Sequence, residues 1–285
     1  MSDPSGLVLV DKPAGPSSFA VLRSLRPALG RKLGHAGTLD PFATGLLLVL
    51  AGRATRLATF LSGLDKRYRA TVQFGATSTT LDPEGEVTAG GETTDEGAVR
   101  RAAADMVGEL DQRVPAASAV HVAGQRAYRR LRRGETVEIP ARRVRIDALE
   151  VCSWDGKTQR AEIEVACSKG TYVRQVAADL GEATAAGAYC LTLRRLAVGP
   201  FSVDDAAPPA HILEEPERRL IPPAQALPHL ARHELSAQER VAVCHGRPIA
   251  CDGHEGTTVA LVAAGELLAV ARGQDGQLRP LAVFA

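Results

Sequence analysis

The pattern of apolar and polar positions divides the chain into short elements of two kinds. Leu7 to Val10 is an uninterrupted apolar run, closed by Pro13, Ala14, Gly15 and Pro16, and predicts a short buried strand ending in a turn. Ser17 and Ser18 offer hydroxyls to open a helix with Val21, Leu22 and Leu25 on one face and Pro27 as its limit. Residues 34–44, rich in Gly, Thr and Pro, predict a loop, and Leu46 to Leu50 a strand. Tyr68 to Phe74 alternates as a half-buried strand does. The polar residues 77–97 predict a hairpin or surface loop, and Ala98 to Leu110 a helix. Ala161 to Cys167 reads as a strand, Thr171 to Ala183 as a helix and Leu191 to Val198 as another strand.

Pro208, Pro209, Pro216, Pro222, Pro223 and Pro228 predict a linker. Beyond it, short apolar runs such as Thr258 to Ala263 and Leu267 to Ala271 lie between glycine turns, which predicts a small β-rich unit. The irregular interleaving of strands and helices points to α+β and away from a strict βαβ series. The expected division is residues 1–228 and 229–285.

Composition narrows the function classes. A chain of 285 residues with 45% hydrophobic and 24% charged residues has the make-up of a globular protein, which excludes disorder as the default. A net charge of +1 says little about nucleic acid, because clustering decides that. Clustering is present: Arg126 to Arg145 holds eight arginines against two glutamates. Arg126, Arg129, Arg130, Arg132 and Arg133 are interleaved with Tyr128, a composition suited to phosphate contacts. The five cysteines are odd in number and scattered, which suits reduced thiols in a cytoplasmic protein. No apolar run reaches the roughly 20 residues a membrane helix needs, and Gly6 to Val10 is too short for a signal core, so no membrane association is expected.

The densest chemical cluster is Gly34-His35-Ala36-Gly37-Thr38-Leu39-Asp40-Pro41-Phe42-Ala43-Thr44-Gly45. Its glycines and proline define a tight backbone path, and His35 and Asp40 are its strongly titratable side chains. An isolated Leu-Asp-Pro is ordinarily a turn. Here the twelve residues together resemble the signature of the TruB family of tRNA pseudouridine synthases. Leu9 to Ser18, Asp65 to Ala70, Ser168 to Arg174 and Leu193 to Leu196 resemble further segments of that family, in the same order.

The resemblance implies a pseudouridine synthase catalytic domain with a mixed, largely antiparallel sheet, followed by a small PUA-like domain. It places Asp40 at the catalytic aspartate and Tyr68 at the tyrosine that stacks on the target base. Arg174 falls at the partner arginine, Tyr172 and Leu193 at active-site walls, and His35 near the flipped-out nucleotides. It implies the T-loop uridine 55 of tRNA as substrate, no cofactor, no guide RNA and a monomer. The arginine-rich stretch falls in an insertion, about residues 113–145, that grips the T-arm. Val114 and His121 depart from the family pattern there, where a proline and a lysine are usual. A guanidinium beside Asp40 is expected to lower its pKa.

Two other readings compete. One is a tRNA-binding folding chaperone in which catalysis is secondary, against which the intact Asp40, Tyr68 and Arg174 set argues. The other is a zinc-dependent RNA-modifying hydrolase. Cys244-His245 and Cys251-x-x-His254 offer ligands within eleven residues, but their spacing fits neither a zinc knuckle nor a finger, so no metal is expected. No Walker loop appears, and no G-x-G-x-x-G lies between a strand and a helix.

Overall fold

The computed structural model describes residues 4–115, 121–122, 125–126, 139–251 and 253–284. Strand β1 (Gly6–Lys12) leads into helix α1 (Ser18–Leu29), β2 (Leu33–His35) and β3 (Thr44–Ala51). Helix α2 (Ala58–Leu61), β4 (Lys66–Phe74), β5 (Ala76–Ser78), β6 (Val87–Ala89), α3 (Glu96–Asp105) and β7 (Gly108–Gln112) follow. After the short pair β8 (His121–Val122) and β9 (Gln125–Arg126) come β10 (Arg142–Asp155), β11 (Arg160–Cys167), α4 (Val173–Ala183), β12 (Ala188–Val198) and β13 (Phe201–Ser202).

The main sheet runs β1-β3-β12-β4-β11-β10-β7, with β2 on β3 and β13 on β12. Among the described strand pairs of this sheet, β3 and β12 run parallel and the others antiparallel. The fold is thus a mixed, largely antiparallel α+β sheet followed by a β-rich C-terminal unit. In that unit β14 (Ala231–Glu234), β15 (Ile249–Ala250), β16 (Thr258–Ala263), β17 (Glu266–Gln274) and β18 (Gln277–Val283) form a second sheet.

Strands β1 and β3 are apolar without alternation because both of their faces are covered. Val8, Val10, Leu47 and Val49 join the core beneath α1, whereas Leu7, Leu9, Leu46, Leu48 and Leu50 pack on the opposite side with Ala260, Val262, Leu267 and Phe284. Burying each large side chain contributes about 1.5–3 kcal/mol. This second cluster fastens the C-terminal sheet to the first. Arg53 adds a hydrogen bond from Nη1 to the Phe284 carbonyl, 3.0 Å long.

Several boundaries differ from those the sequence predicts. Helix α1 runs two residues past Pro27, which sits in its last turn, and ends where Gly30 takes φ 82°. The predicted helix 98–110 is shorter, because Asp95 caps it early and Gly108, at φ 123°, turns the chain so that Leu110 joins β7. The proline-rich stretch is more than a linker. It forms the short helices α5 (Pro209–Glu214) and α6 (Pro216–Arg219), buries Ile212, Ala226 and Leu227, and exchanges backbone bonds of 2.9 and 2.8 Å between Leu7 and Ile221. The hairpin expected within 77–97 is present as β5 and β6.

Candidate active site

The site forms over three neighbouring strands of the main sheet, β3, β12 and β4. Asp40 lies in the loop that enters β3, Tyr68 is on β4, and Leu193 is on β12 between them. Alternation on β4 turns Lys66, Tyr68, Ala70, Val72 and Phe74 toward one face. The register sets Leu193 opposite Ala70 and Arg195 opposite Tyr68. From the end of β11, residues 168–172 return to start α4, which carries Arg174 in its first turn.

Two buried cations hold the Asp40 loop by its carbonyls. Lys12, fully buried, donates from Nζ to the carbonyls of Pro13, Pro41 and Ala43 at 2.9, 3.1 and 2.6 Å. Arg195 donates to the carbonyls of Leu46, Gly37 and Thr38 at 2.7, 3.0 and 3.4 Å. Ser18 Oγ accepts from the Leu39 amide and donates to its carbonyl, both at 2.9 Å. The bonds from Lys12 and Arg195 are charge-assisted and contribute about 1.5–3 kcal/mol each, which fixes the aspartate's backbone before any ligand arrives.

Arg174 is 3% exposed and divides its guanidinium between two carboxylates. Its Nε lies 2.9 Å from Asp40 Oδ2 and its Nη1 lies 2.7 Å from Asp82 Oδ2. Nη1 also donates to the Thr80 carbonyl at 2.7 Å. A cation in the first turn of a helix meets the positive end of the helix dipole, and the two carboxylates offset that cost. Asp82 is itself held by Thr80 Oγ1 at 2.5 Å and the Glu84 amide at 3.0 Å. The preceding Leu81 adopts φ 63°, a left-handed conformation costing about 1–3 kcal/mol, and its carbonyl accepts from Cys190 N at 3.0 Å.

The electrostatics correct one expectation. Asp40's pKa is raised above the ordinary carboxylate value, not lowered. Burial is the largest influence and outweighs the Arg174 guanidinium, while the negative charge of Asp82 pushes the same way as burial. Burial also lowers Lys12 to about 8, opposed by Asp40 and Glu84, and lowers Lys66 to about 8. Tyr68 is raised, chiefly by burial, and stays a neutral phenol.

A cavity of about 260 Å³ opens over this arrangement. Asp40, Tyr68, Tyr172, Arg174 and Leu193 all line it, so the structure brings together five of the residues singled out in the sequence. His35 stands apart, half-buried in β2 opposite Val49 and not a wall of this cavity, with its pKa lowered by burial and then by Arg195. Thr38, Lys66, Arg195 and Ser62 also line the cavity and were not singled out, although the first three lie inside segments that carry the family resemblance. Asp82 was missed because it sits in a polar loop with no pattern around it. Gln112 was missed too: from β7 it clamps the Tyr172 backbone, accepting from its amide at 2.8 Å and donating to its carbonyl at 3.1 Å.

Two family profiles match the chain. The profile described as TruB family pseudouridylate synthase (N terminal domain) matches residues 26–173. The profile described as tRNA Pseudouridine synthase II, C terminal, matches residues 230–285. The chain belongs to the TruB family. A TruB relative from Thermobifida fusca (strain YX), tRNA pseudouridine synthase B, is 41% identical over 292 residues, covering 98% of each chain. Another of that name from Mycobacterium sp. (strain KMS) is 42% identical over 284 residues, covering 98% of this chain and 95% of the relative.

Solved structures share the TruB fold at lower identity. An H/ACA ribonucleoprotein bound to a substrate RNA containing 2′-deoxyuridine gives a TM-score of 0.76 at 21% identity, covering 98% of this chain and 85% of that one. A Cbf5-Nop10-Gar1 complex gives 0.74 at 22%, covering 98% and 84%. These establish the fold alone.

The arginine run predicted to touch RNA divides in this TruB chain. Arg126 falls in β9, while Arg129, Arg130, Arg132 and Arg133 lie outside the described residues. Arg142, Arg143 and Arg145 belong to β10. Arg143 pairs with Glu109 of β7 at 2.9 Å, and Arg145 pairs with Asp147 of its own strand at 2.6 Å and with Asp65 at 3.1 Å, so these β10 arginines are offset by acids. Among the described residues no helix is long and apolar enough to cross a membrane.

Proposed function

We propose that this chain isomerises uridine to pseudouridine in tRNA, at uridine 55 of the T loop, with Asp40 as the catalytic carboxylate. The relatives' shared name, tRNA pseudouridine synthase B, supports tRNA as the substrate. The observation that carries the site assignment is the Asp40–Arg174 contact of 2.9 Å on the wall of a cavity of about 260 Å³. That volume lies just under the roughly 300 Å³ at which small-molecule sites begin, a size suited to one flipped nucleoside.

In the reaction the N1–C1′ bond breaks, the uracil turns, and C5 bonds to C1′. The C5 proton leaves and N1 gains a proton, so nothing is oxidised or reduced. Asp40 acts on the ribose, either attacking C1′ or removing a ribose proton, and both roles need its ionised form. Arg174 holds the carboxylate in place, Tyr68 offers its ring to the extruded base, and Leu193 and Tyr172 bound the space. Stacking contributes about 1–3 kcal/mol toward the cost of unstacking the nucleotide.

The test is Asp40→Asn. Pseudouridine formation in unmodified tRNA should disappear while tRNA affinity stays within about tenfold, about 1.4 kcal/mol. Undiminished turnover in that variant would refute Asp40's role. Modification mapped away from uridine 55 would refute the proposed position.

A further inference from the structure

The second sheet brings together three metal-binding side chains that are separated along the TruB chain. Among the described residues, His233, Cys251 and His254 form the one group of three His, Cys, Asp or Glu donors whose ligand atoms all lie within 4.8 Å of one another. The spacing of Cys244, His245, Cys251 and His254 along the sequence predicts no metal. The fold changes the set. Cys244 is exposed and His245 turns back to bond the Val241 carbonyl at 2.7 Å, while His233 arrives from β14, eighteen residues before Cys251.

One donor pair already stands at the separation a formed site would have. Bonds of about 2.3 Å to sulfur and about 2.0–2.1 Å to nitrogen at a tetrahedral angle separate S and N donors by about 3.6 Å. Cys251 Sγ and His233 Nδ1 are 3.7 Å apart. The other ring nitrogen of His233 is buried and lies 3.4 Å from Glu239 Oε1. A carboxylate on the far nitrogen is the usual partner of a metal-bound imidazole, fixing the ring and raising its basicity.

The remaining two donors are held by backbone bonds, Cys251 to the β17–β18 turn and His254 within its own turn before β16. The Cys251 amide donates to the Gly276 carbonyl at 3.0 Å, and the His254 carbonyl accepts from the Thr257 amide at 3.0 Å and its hydroxyl at 2.7 Å. His254 also passes so close to Gly273 that a Cβ there would meet its carbonyl oxygen at 1.8 Å. All three side chains are half-buried at the edge of the C-terminal core, which lets an ion enter from solvent.

We propose that His233, Cys251 and His254 bind one zinc ion, with Glu239 as a positioning residue on His233 and water in the fourth place. One thiolate and two imidazoles suit Zn²⁺ and disfavour Mg²⁺ or Ca²⁺, which prefer oxygen donors. Binding converts the Cys251 thiol to a thiolate and releases its proton to solvent. The ion ties β14 to the loop after β15, so its role is to lock the C-terminal sheet, away from the Asp40 cavity.

The test uses the full-length, untagged chain, stripped with chelator and titrated with Zn²⁺ or with Co²⁺ as a spectroscopic substitute. One equivalent should bind, with a thiolate-to-cobalt charge-transfer band in the near ultraviolet. Cys251→Ser should abolish the band. Cys251→Ser and His254→Ala should each weaken Zn²⁺ at least about a hundredfold, and Glu239→Gln about ten- to a hundredfold. Cys244→Ser should bind like the parent. Unfolding temperature should rise with Zn²⁺ in the parent and in Cys244→Ser, but not in Cys251→Ser. Absence of stoichiometric binding by the folded parent chain, or a Cys251→Ser chain that binds equally well, would overturn the proposal.

Discussion

Asp82→Asn is the perturbation that separates electrostatics from packing at this site. The native Asp82 is nearly inaccessible and faces Arg174 Nη1 at 2.7 Å, while Arg174 Nε faces Asp40 at 2.9 Å. With charge centres about 4 Å apart and an effective dielectric near 20, one such pair is worth on the order of 4 kcal/mol before desolvation. Breaking a buried pair by removing one charge costs about 3–5 kcal/mol, a large part of a typical domain's stability. Asn also cannot reproduce every bond, since its NH₂ replaces an oxygen that accepts either from Arg174 or from Thr80 and Glu84.

Two effects on turnover follow, one on where the acid limb lies and one on the height of the plateau. Asp82 raises the pKa of Asp40, so its neutralisation lets Asp40 ionise at lower pH. The acid limb of the pH–rate profile should shift downward. The plateau should fall, because Arg174 loses an anchor and a displacement near 1 Å at a reacting group costs about a hundredfold. Single-turnover release of tritium from C5-labelled uridine in tRNA, measured across pH, reads both quantities, and denaturant unfolding reads stability. A variant with the parent's plateau, or with an acid limb moved upward, would refute the argument.

Other perturbations test the rest of the site. Lys12 and Lys66 have folded pKa values of about 8, below the ordinary 10.5, so the folded chain releases these protons while the unfolded chain keeps them. Linkage then makes stability rise between pH 8 and 10.5, yet turnover should fall, because a neutral Lys12 amine has two N–H groups for three carbonyls. A turnover rate flat from about pH 7 to about 9.5 would sink this reasoning. Gly45→Ala places a Cβ 2.3 Å from the Arg195 carbonyl oxygen at a residue with φ 99°, and should cost at least about 2 kcal/mol in denaturant unfolding while slowing turnover. Neutralising Arg129, Arg130, Arg132 and Arg133 should flatten the dependence of log Kd for tRNA on log salt by about 0.7–0.9 for each phosphate no longer neutralised. An unchanged slope would remove those residues from the RNA interface.

Much of the design was legible along the chain because it is written in local rules. The apolar runs at Leu7–Val10 and Leu46–Leu50, the alternation from Tyr68 to Phe74 and the Ser17 cap each report a neighbour within a turn or a strand, where periodicity carries information. The Asp40 loop was legible for another reason: its twelve residues, three glycines and one proline among them, together resemble the signature of the TruB family, whereas Leu-Asp-Pro alone reads as a turn. What the sequence could not determine is long-range and electrostatic. Asp82 meets Arg174 across 92 residues, Arg195 reaches Gly37 across 158, and His233 meets Cys251 across 18, and no local period encodes such meetings. The sign of the Asp40 shift is of the same kind. A guanidinium alone argues for a lowered pKa, but burial and a second carboxylate exist only once the chain has folded, and together they decide the balance.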